Sequence, residues 1–438
     1  MTAPTPSPDI DPHCHPARFL SAAIPGIGGV IKQRPEDFLV DETPLYEPSG
    51  SGEHIYLFVQ KRDLSTLEMV RHLASHFGVR QSAIGYAGLK DKCAITRQVV
   101  SVHAPGKKIE DFPSIKHDRI AVLWADYHAN KLRRGHLKGN RFSIRVRSVG
   151  LQAALAAHRV LQLLARLGVP NRIGPQRFGS QLNNHLVGAA LVRMDYPAAC
   201  DALLSPHPLS PESHADARRL YTERKFQDAF AAMPRSAATE RDVLSGLAKG
   251  ETPERAWRRA DSVAAGFFVT AFQSAVFNHV LDDRLARDAL GTLLPGDVAM
   301  KHDNRACFSV DDETLRDAST AARLASFEIS ASGPMWSATM MRAQGPIDEL
   351  ERATLASFGV TLDHLRAFAD QRWLEIQGDR RPFRVPILDP DVEGGLDEHG
   401  PYVRCSFELP RGSFATVVLA EVMKNELSVE LSGSDRES

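Results

Sequence analysis

The segment Gly85-Tyr-Ala-Gly-Leu-Lys-Asp-Lys-Cys-Ala-Ile-Thr-Arg-Gln98 holds the key to this chain of 438 residues. Its two glycines allow a tight turn that delivers a side chain to a defined point. Asp91 sits between Lys90 and Lys92, whose charges favour its anionic form. The β-branched run Ile95-Thr-Arg-Gln-Val-Val-Ser-Val102 follows at once and predicts a strand. A charged carboxylate is therefore mounted on a turn at the mouth of a strand. An ordinary solvated Lys-Asp-Lys turn fits the same residues, so the rest of the chain has to decide between them.

Upstream, Ile31-Lys32, Phe38-Leu-Val40 and His54-Ile-Tyr-Leu-Phe-Val-Gln60 read as short strands. Ser65-x-x-Glu68 is a capping box opening a helix, with Val70, Leu73, Ala74 and Phe77 on one face and Gly78 as its stop. Downstream, Ile120-Ala-Val-Leu-Trp124 reads as another strand. Asn130–Arg147 then carries seven Lys or Arg and no acid. Its second half alternates, with Arg141, Ser143, Arg145 and Arg147 on one face and Asn140, Phe142, Ile144 and Val146 on the other. Such a row of arginines suits phosphate, and equally a solvated strand face. An amphipathic helix is expected over Leu151–Leu167, ending at Gly168-Val-Pro170.

From about 180 to 290 the pattern is mainly helical, with a linker-like Ser205-Pro-His-Pro-Leu-Ser-Pro211, a helix start at Thr252-Pro253-Glu254 and a long apolar helix over Phe267–Leu290. Beyond Gly378 the β character returns in Phe383–Leu388 and Tyr402–Phe407, and a last helix starts near Ser413. The order β-rich, helical, β-rich predicts an α+β chain in which a helical domain is inserted into a sheet-based one.

Hydrophobic content of 43 % and charged content of 24 % describe an ordinary globular protein. With a net charge of −1, attraction to a polyanion has to come from a local cluster of Lys and Arg. Cys14, Cys93, Cys200, Cys307 and Cys405 are isolated and odd in number, which points to a reducing cytoplasm. Residues 1–18, rich in Pro and Asp, carry no signal-peptide pattern and read as a disordered tail. His13-Cys14-His15 lacks further ligands at zinc-like spacing, so no metal is expected. No segment reads as a membrane span, and a membrane partner is not expected. The phosphate loop of NTPases, the His-Glu-x-x-His zinc motif and the Gly-x-Ser-x-Gly elbow are all missing.

Six motifs, in order along the chain, carry a resemblance. They are Lys32-Gln-Arg-Pro-Glu-Asp-Phe-Leu-Val40, Gly88-Leu-Lys-Asp-x-x-Ala-x-Thr-x-Gln98, Gly139-Asn-Arg-Phe142, Pro170-Asn-x-x-Gly-x-Gln-Arg-Phe-Gly179, Gln273-Ser-x-x-Phe-Asn278 and Leu409-Pro-x-Gly-Ser-Phe-Ala-Thr416. Through them the chain resembles the tRNA pseudouridine synthase D (TruD) family. It departs at Ile173, where an aromatic is frequent, and in its longer N-terminus.

The resemblance implies a cofactor-free isomerase that converts uridine to pseudouridine in tRNA, with uridine 13 of tRNA-Glu as the expected target. It places a split pseudouridine synthase catalytic domain at 19–172 and 374–438, with an inserted α+β domain at 173–373. Asp91 would be the catalytic carboxylate, attacking ribose C1′ or taking a ribose proton. Lys32 and Lys90 would keep it charged, Phe142 would stack on the flipped uracil, and Asn140 would orient Asp91 or the base. Arg141 and Arg145 would hold the RNA backbone. Arg177, Phe178, Gln273 and Asn278 stand open between lining the site and supporting the fold. A monomer in the cytoplasm is the working expectation. The competing readings are an RNA-binding tRNA folding chaperone and a synthase acting on other structured RNA or mRNA.

Overall fold

Ser65 opens the first helix through the capping box legible in the sequence. Its hydroxyl accepts from the Glu68 amide at 3.2 Å, and the Glu68 carboxylate accepts from the Ser65 amide at 2.8 Å. The helix, α1 (Thr66–Phe77), ends at Gly78 in the left-handed conformation. Met69, Val70, Leu73 and Phe77 on its inner face pack against strand residues Ile55, Leu57, Val59, Val100 and Val102. Each such side chain contributes about 1.5–3 kcal/mol on burial.

The computed structural model describes residues 18–207, 213–371, 373–374 and 377–425. They divide into a sheet unit, Ser21–Val169 with Val385 to Asn425, and a helical unit, Pro170–Arg384, which also takes in Arg18 to Leu20. The second boundary lies beyond the expected 374, because Asp379–Pro382 pairs with Ile329–Met335 in a sheet of the helical unit. The tail expected over residues 1–18 and the His13-Cys14-His15 cluster lie outside the described residues, apart from Arg18.

The sheet unit is built on β1 (Phe38–Pro44), β2 (His54–Arg62), β3 (Ile84–Tyr86), β4 (Ile95–His103), β5 (Ile120–His128) and β6 (Leu137–Arg147), joined by Leu388–Asp397 and Gly400–Pro410. The spatial order is Leu388–Asp397, Gly400–Pro410, β6, β1, β4, β2, β5, with β3 on the flank of β4. β1 and β4 run parallel and the other pairings are antiparallel, so the sheet is mixed. Helix α2 (Ala153–Leu167) packs on the two C-terminal strands, and the helix Ala415–Met423 packs on α2.

Cross-strand partners point to one face of a sheet, and the register aligns two rows on the face that α1 covers. One row runs Lys61, Thr96, Val40, Phe142, Phe407; the next holds Val59 paired with Gln98, and Glu42 between Gln98's strand and the pair Asn140, Leu409. The second row is apolar at its ends and polar at its centre, while the first passes from polar Lys61 and Thr96 to apolar Val40, Phe142 and Phe407. Lys61, Glu42, Thr96 and Gln98 are nonetheless buried.

In the helical unit the long apolar helix expected over Phe267–Leu290 runs from Ser262 to Ala286, and its 25 residues are long and apolar enough to cross a membrane, although no span was expected. Most of it is buried against Asn184–Val192 and the surrounding helices, as befits a core helix. Gly188 lets these two helices approach closely: a Cβ there would stand 2.0 Å from the Phe268 carbonyl oxygen. A four-stranded antiparallel sheet, ordered Asp379–Pro382, Ile329–Met335, Val298–Lys301, Cys307–Ser309, completes the unit. Buried ion pairs Arg380–Glu351 and Arg284–Asp297, at 2.7 and 2.6 Å, tie its elements together.

Two local expectations change. Ile31-Lys32 is not a strand, since only Val30 bridges to Arg147 and Lys32 has φ of 58°. The polar strand Leu388–Asp397 extends well past the expected Leu388. Its alternate positions stay exposed, so it lacks the apolar period that would have revealed it.

Candidate active site

The loop that carries Asp91 fills a gap in the sheet. β1 pairs with Ile95–Arg97 and β3 with Val100–Val102 on one side of β4, which leaves a break between them. Side chains satisfy the backbone there, as buried amides and carbonyls require. The Val99 amide donates to Glu42 Oε1 at 3.3 Å, and Gln98 Nε2 donates to the Gly88 carbonyl at 3.3 Å. The Lys90 amide donates to Thr66 Oγ1 at 2.9 Å, and the Ala87 carbonyl accepts from the Gly135 amide at 2.8 Å. Neither Gly85 nor Gly88 has a positive φ. Gly85 is required by a close approach, because a Cβ would meet the Leu132 carbonyl oxygen at 2.2 Å.

Asp91 is anchored through its backbone: Lys61 Nζ donates to its carbonyl at 2.6 Å. Its carboxylate remains open to solvent, 37 % exposed, with Lys32 Nζ 3.3 Å from Oδ2. Lys32 holds a left-handed backbone conformation, rare and strained by about 1–3 kcal/mol for a residue with a side chain. Its ammonium also stands 4.5 Å from the centre of the Phe38 ring. The expected pairing of Lys32 with Asp91 is present.

Lys90 behaves differently from expectation. Its ammonium lies 2.7 Å from Glu42 Oε2 and donates to Asn140 Oδ1 at 2.6 Å, facing into the sheet unit. The carboxylate it neutralises is Glu42, and the group Asn140 orients is Lys90. Burial pushes the Glu42 carboxyl up from its ordinary range, while Lys90 and the Val99 amide pull it back. Glu42 and Lys61 are the residues that sequence reasoning missed. A signal for Glu42 exists: it follows Phe38 and Val40 at the inward positions of β1, an acid where an apolar residue belongs.

Phe142 is 7 % exposed, packed edge-on to Phe38 at 6.5 Å and against Phe407 at 5.5 Å. It forms a wall of the core in this structure and does not present an open face.

The arginine face is on the opposite side of the sheet from Glu42, Asn140 and Phe142, and its charges are paired. Across the strands runs a row Gln60, Arg97, Asp41, Arg141, Glu408, alternating in sign. Arg141 pairs with Asp389 and Arg145 with Asp397, both at 3.2 Å, and Arg145 lies over the Tyr402 ring. Arg147 is buried between Asp37 and Asp397. These acids come from distant segments, so the charges of Arg141, Arg145 and Arg147 are paired on folding.

In the helical unit, Asn278 donates to the Ile173 carbonyl and accepts from its amide, Gln273 donates to the Trp336 carbonyl, and Phe178 is fully buried. All three support the fold. Among the described residues no group of three or more His, Cys, Asp or Glu is placed to hold a metal ion.

A family model described as tRNA pseudouridine synthase D (TruD) matches residues 17–422. The chain is 42 % identical over 410 residues to the tRNA pseudouridine synthase D of Geobacter sp. (strain M21), spanning 93 % of this chain and 99 % of the relative. To the protein of that name from Thermus thermophilus it is 35 % identical, over 93 % of this chain and 92 % of the other. The crystal structure of a TruD chain from Methanosarcina mazei superposes with a TM-score of 0.82 at 27 % identity, covering 95 % of this chain and 98 % of that one.

Proposed function

The chain belongs to the tRNA pseudouridine synthase D family, and on that premise we propose how its residues convert uridine to pseudouridine in tRNA. The reaction breaks the bond between ribose C1′ and uracil N1 and forms one between C1′ and C5. The C5 proton leaves and N1 gains one, so the overall change is an isomerisation.

Asp91 is the catalytic carboxylate in this proposal. The observation that carries it is a solvent-open carboxylate, 3.3 Å from Lys32 Nζ, on a loop whose backbone is pinned by Lys61, Thr66 and Gln98. Breaking the glycosidic bond builds positive charge at C1′, and an adjacent anion stabilises it. Lys32 holds the carboxylate in place as water is excluded by the RNA. Pinning the loop beforehand lowers the reorganisation that the reacting geometry would otherwise need. Flipping the uracil out of its stack costs about 1–3 kcal/mol per base, and Phe142 offsets part of that only if its packing against Phe38 and Phe407 opens when the RNA binds. The proposed target is uridine 13 of tRNA-Glu, which pseudouridine mapping in a strain lacking the protein would identify.

Replacing Asp91 with Ala tests the assignment. Binding of tRNA should survive, while pseudouridine formation falls by at least about 10⁴-fold. Modification at a near wild-type rate would remove Asp91 from the mechanism.

A further inference from the structure

Arg177 is set apart from its neighbours by the company its charge keeps. It lies in the short turn Pro175–Phe178, with Phe178 as a buried anchor, and the Arg177 carbonyl accepts from Asn184 Nδ2 at 3.4 Å. Its guanidinium lies over the Phe267 ring, 4.9 Å from the centre, with Nη1 3.5 Å from Thr270 Oγ1. Both contacts are neutral. Some arginines of the helical unit meet acids, as Arg172 meets Asp282, Arg380 Glu351 and Arg305 Asp379, and others donate to backbone carbonyls, as Arg193, Arg218 and Arg241 do. No carboxylate among the described residues pairs with Arg177.

Two further facts point outward. Phe267 is 39 % exposed and Val263 79 %, on the first turns of the helix Ser262–Ala286, and open space surrounds Gly266. Partial burial pulls the Arg177 guanidinium down from its ordinary range, with no anion to restore it. Arg381 nearby, which donates to the Asn171 backbone and side-chain oxygens, is pushed down to about 9 by burial and by the charges of Arg305 and Arg177. The charge of Arg177 thus lies beside an exposed aromatic ring. A planar guanidinium stacked on a ring keeps its N–H edges available, and charge-assisted bonds to an anion would compensate its burial.

We propose that Arg177, held over Phe267, takes a backbone phosphate of the bound tRNA. The inference rests on tRNA as the substrate and adds a contact on the helical unit that the chemistry at Asp91 does not require. Because a phosphate contact positions without reading bases, it should act equally on any tRNA sequence.

The test is tRNA binding over a salt series by the full chain carrying Asp91→Ala, with and without Arg177→Ala. Loss of one phosphate contact should weaken binding about tenfold at low salt and flatten the log–log salt dependence by roughly 0.7–0.9. Arg177→Lys, which keeps the charge, should retain most of the slope. If the alanine variant does not fold, Arg177→Gln, closer in size, gives the same reading. An unchanged slope in a folded variant overturns the contact, whatever happens to affinity. A slope change together with no pseudouridine formation by the chain that retains Asp91 would keep this contact and lose the catalytic reading. Pseudouridine formation by the chain that retains Asp91, with an unchanged slope, would lose the contact alone.

Discussion

Lys90 Nζ lies 2.7 Å from Glu42 Oε2, with the two side chains only 6 % and 1 % exposed, so the lysine preceding Asp91 neutralises a carboxylate on another strand. The pair, with Asn140, forms a polar floor beneath the Asp91 loop. Removing one partner of a buried ion pair leaves the other uncompensated, at a cost of about 3–5 kcal/mol.

Glu42→Gln should therefore lower stability and slow catalysis about 10–100-fold through a displaced loop, with tRNA affinity changed less than about threefold. A double-mutant cycle with Lys90→Met, read by denaturation and by single-turnover rate, checks the coupling. The second substitution should cost much less than it does alone. Additive effects would mean that the two residues act independently.

The arginines of β6 should separate by burial. Arg147→Met strands Asp37 in the core and should cost about 3–5 kcal/mol in denaturant unfolding. Arg141→Ala loses only an exposed pair with Asp389, worth about 0–1 kcal/mol, and should leave the salt dependence of tRNA binding unchanged. A flattened salt slope in Arg141→Ala would restore that residue to the RNA-binding role its sequence suggested.

His302 supplies a pH signature. Burial, and secondarily the charge of Arg384, lower its pKa from 6.5 to about 4, and its Nε2 lies 2.9 Å from Ser330 Oγ. The folded state favours the neutral ring, so this contribution is complete above pH 6.5 and is lost as pH falls from there toward 4. Its size is roughly 1–3 kcal/mol after allowing for partial exposure. Unfolding measured over that window should show His302→Gln less acid-sensitive than the parent. Parallel curves would assign the acid sensitivity to other groups.

Much of the architecture could be read from short segments. The capping box at Ser65, the left-handed stop at Gly78 and the cap at Thr252 are all present, because each depends on residues within one turn of the chain. Strands with an apolar period were legible, whereas Leu388–Asp397 was not, since pairing with Gly400–Pro410 holds it and its own residues bury little. Asp91 was legible as a mounted carboxylate, and the family motifs drew Lys32 to it. Glu42 went unread, although an acid at an inward strand position was visible.

By itself, then, the sequence determined the local elements, the alternation of β6 and the candidate carboxylate with its lysine, because spacing and side-chain chemistry act over a few residues. Only the tertiary structure decided which charges meet. Register places Glu42 opposite Asn140 and within reach of Lys90, and it sets Asp41 between Arg97 and Arg141. Coulomb attraction depends on distance in space, and segments remote in the chain come within a few ångströms only when the strands align. That alignment turns an apparent basic patch into a neutral row and gives Lys90 a partner other than its neighbour Asp91.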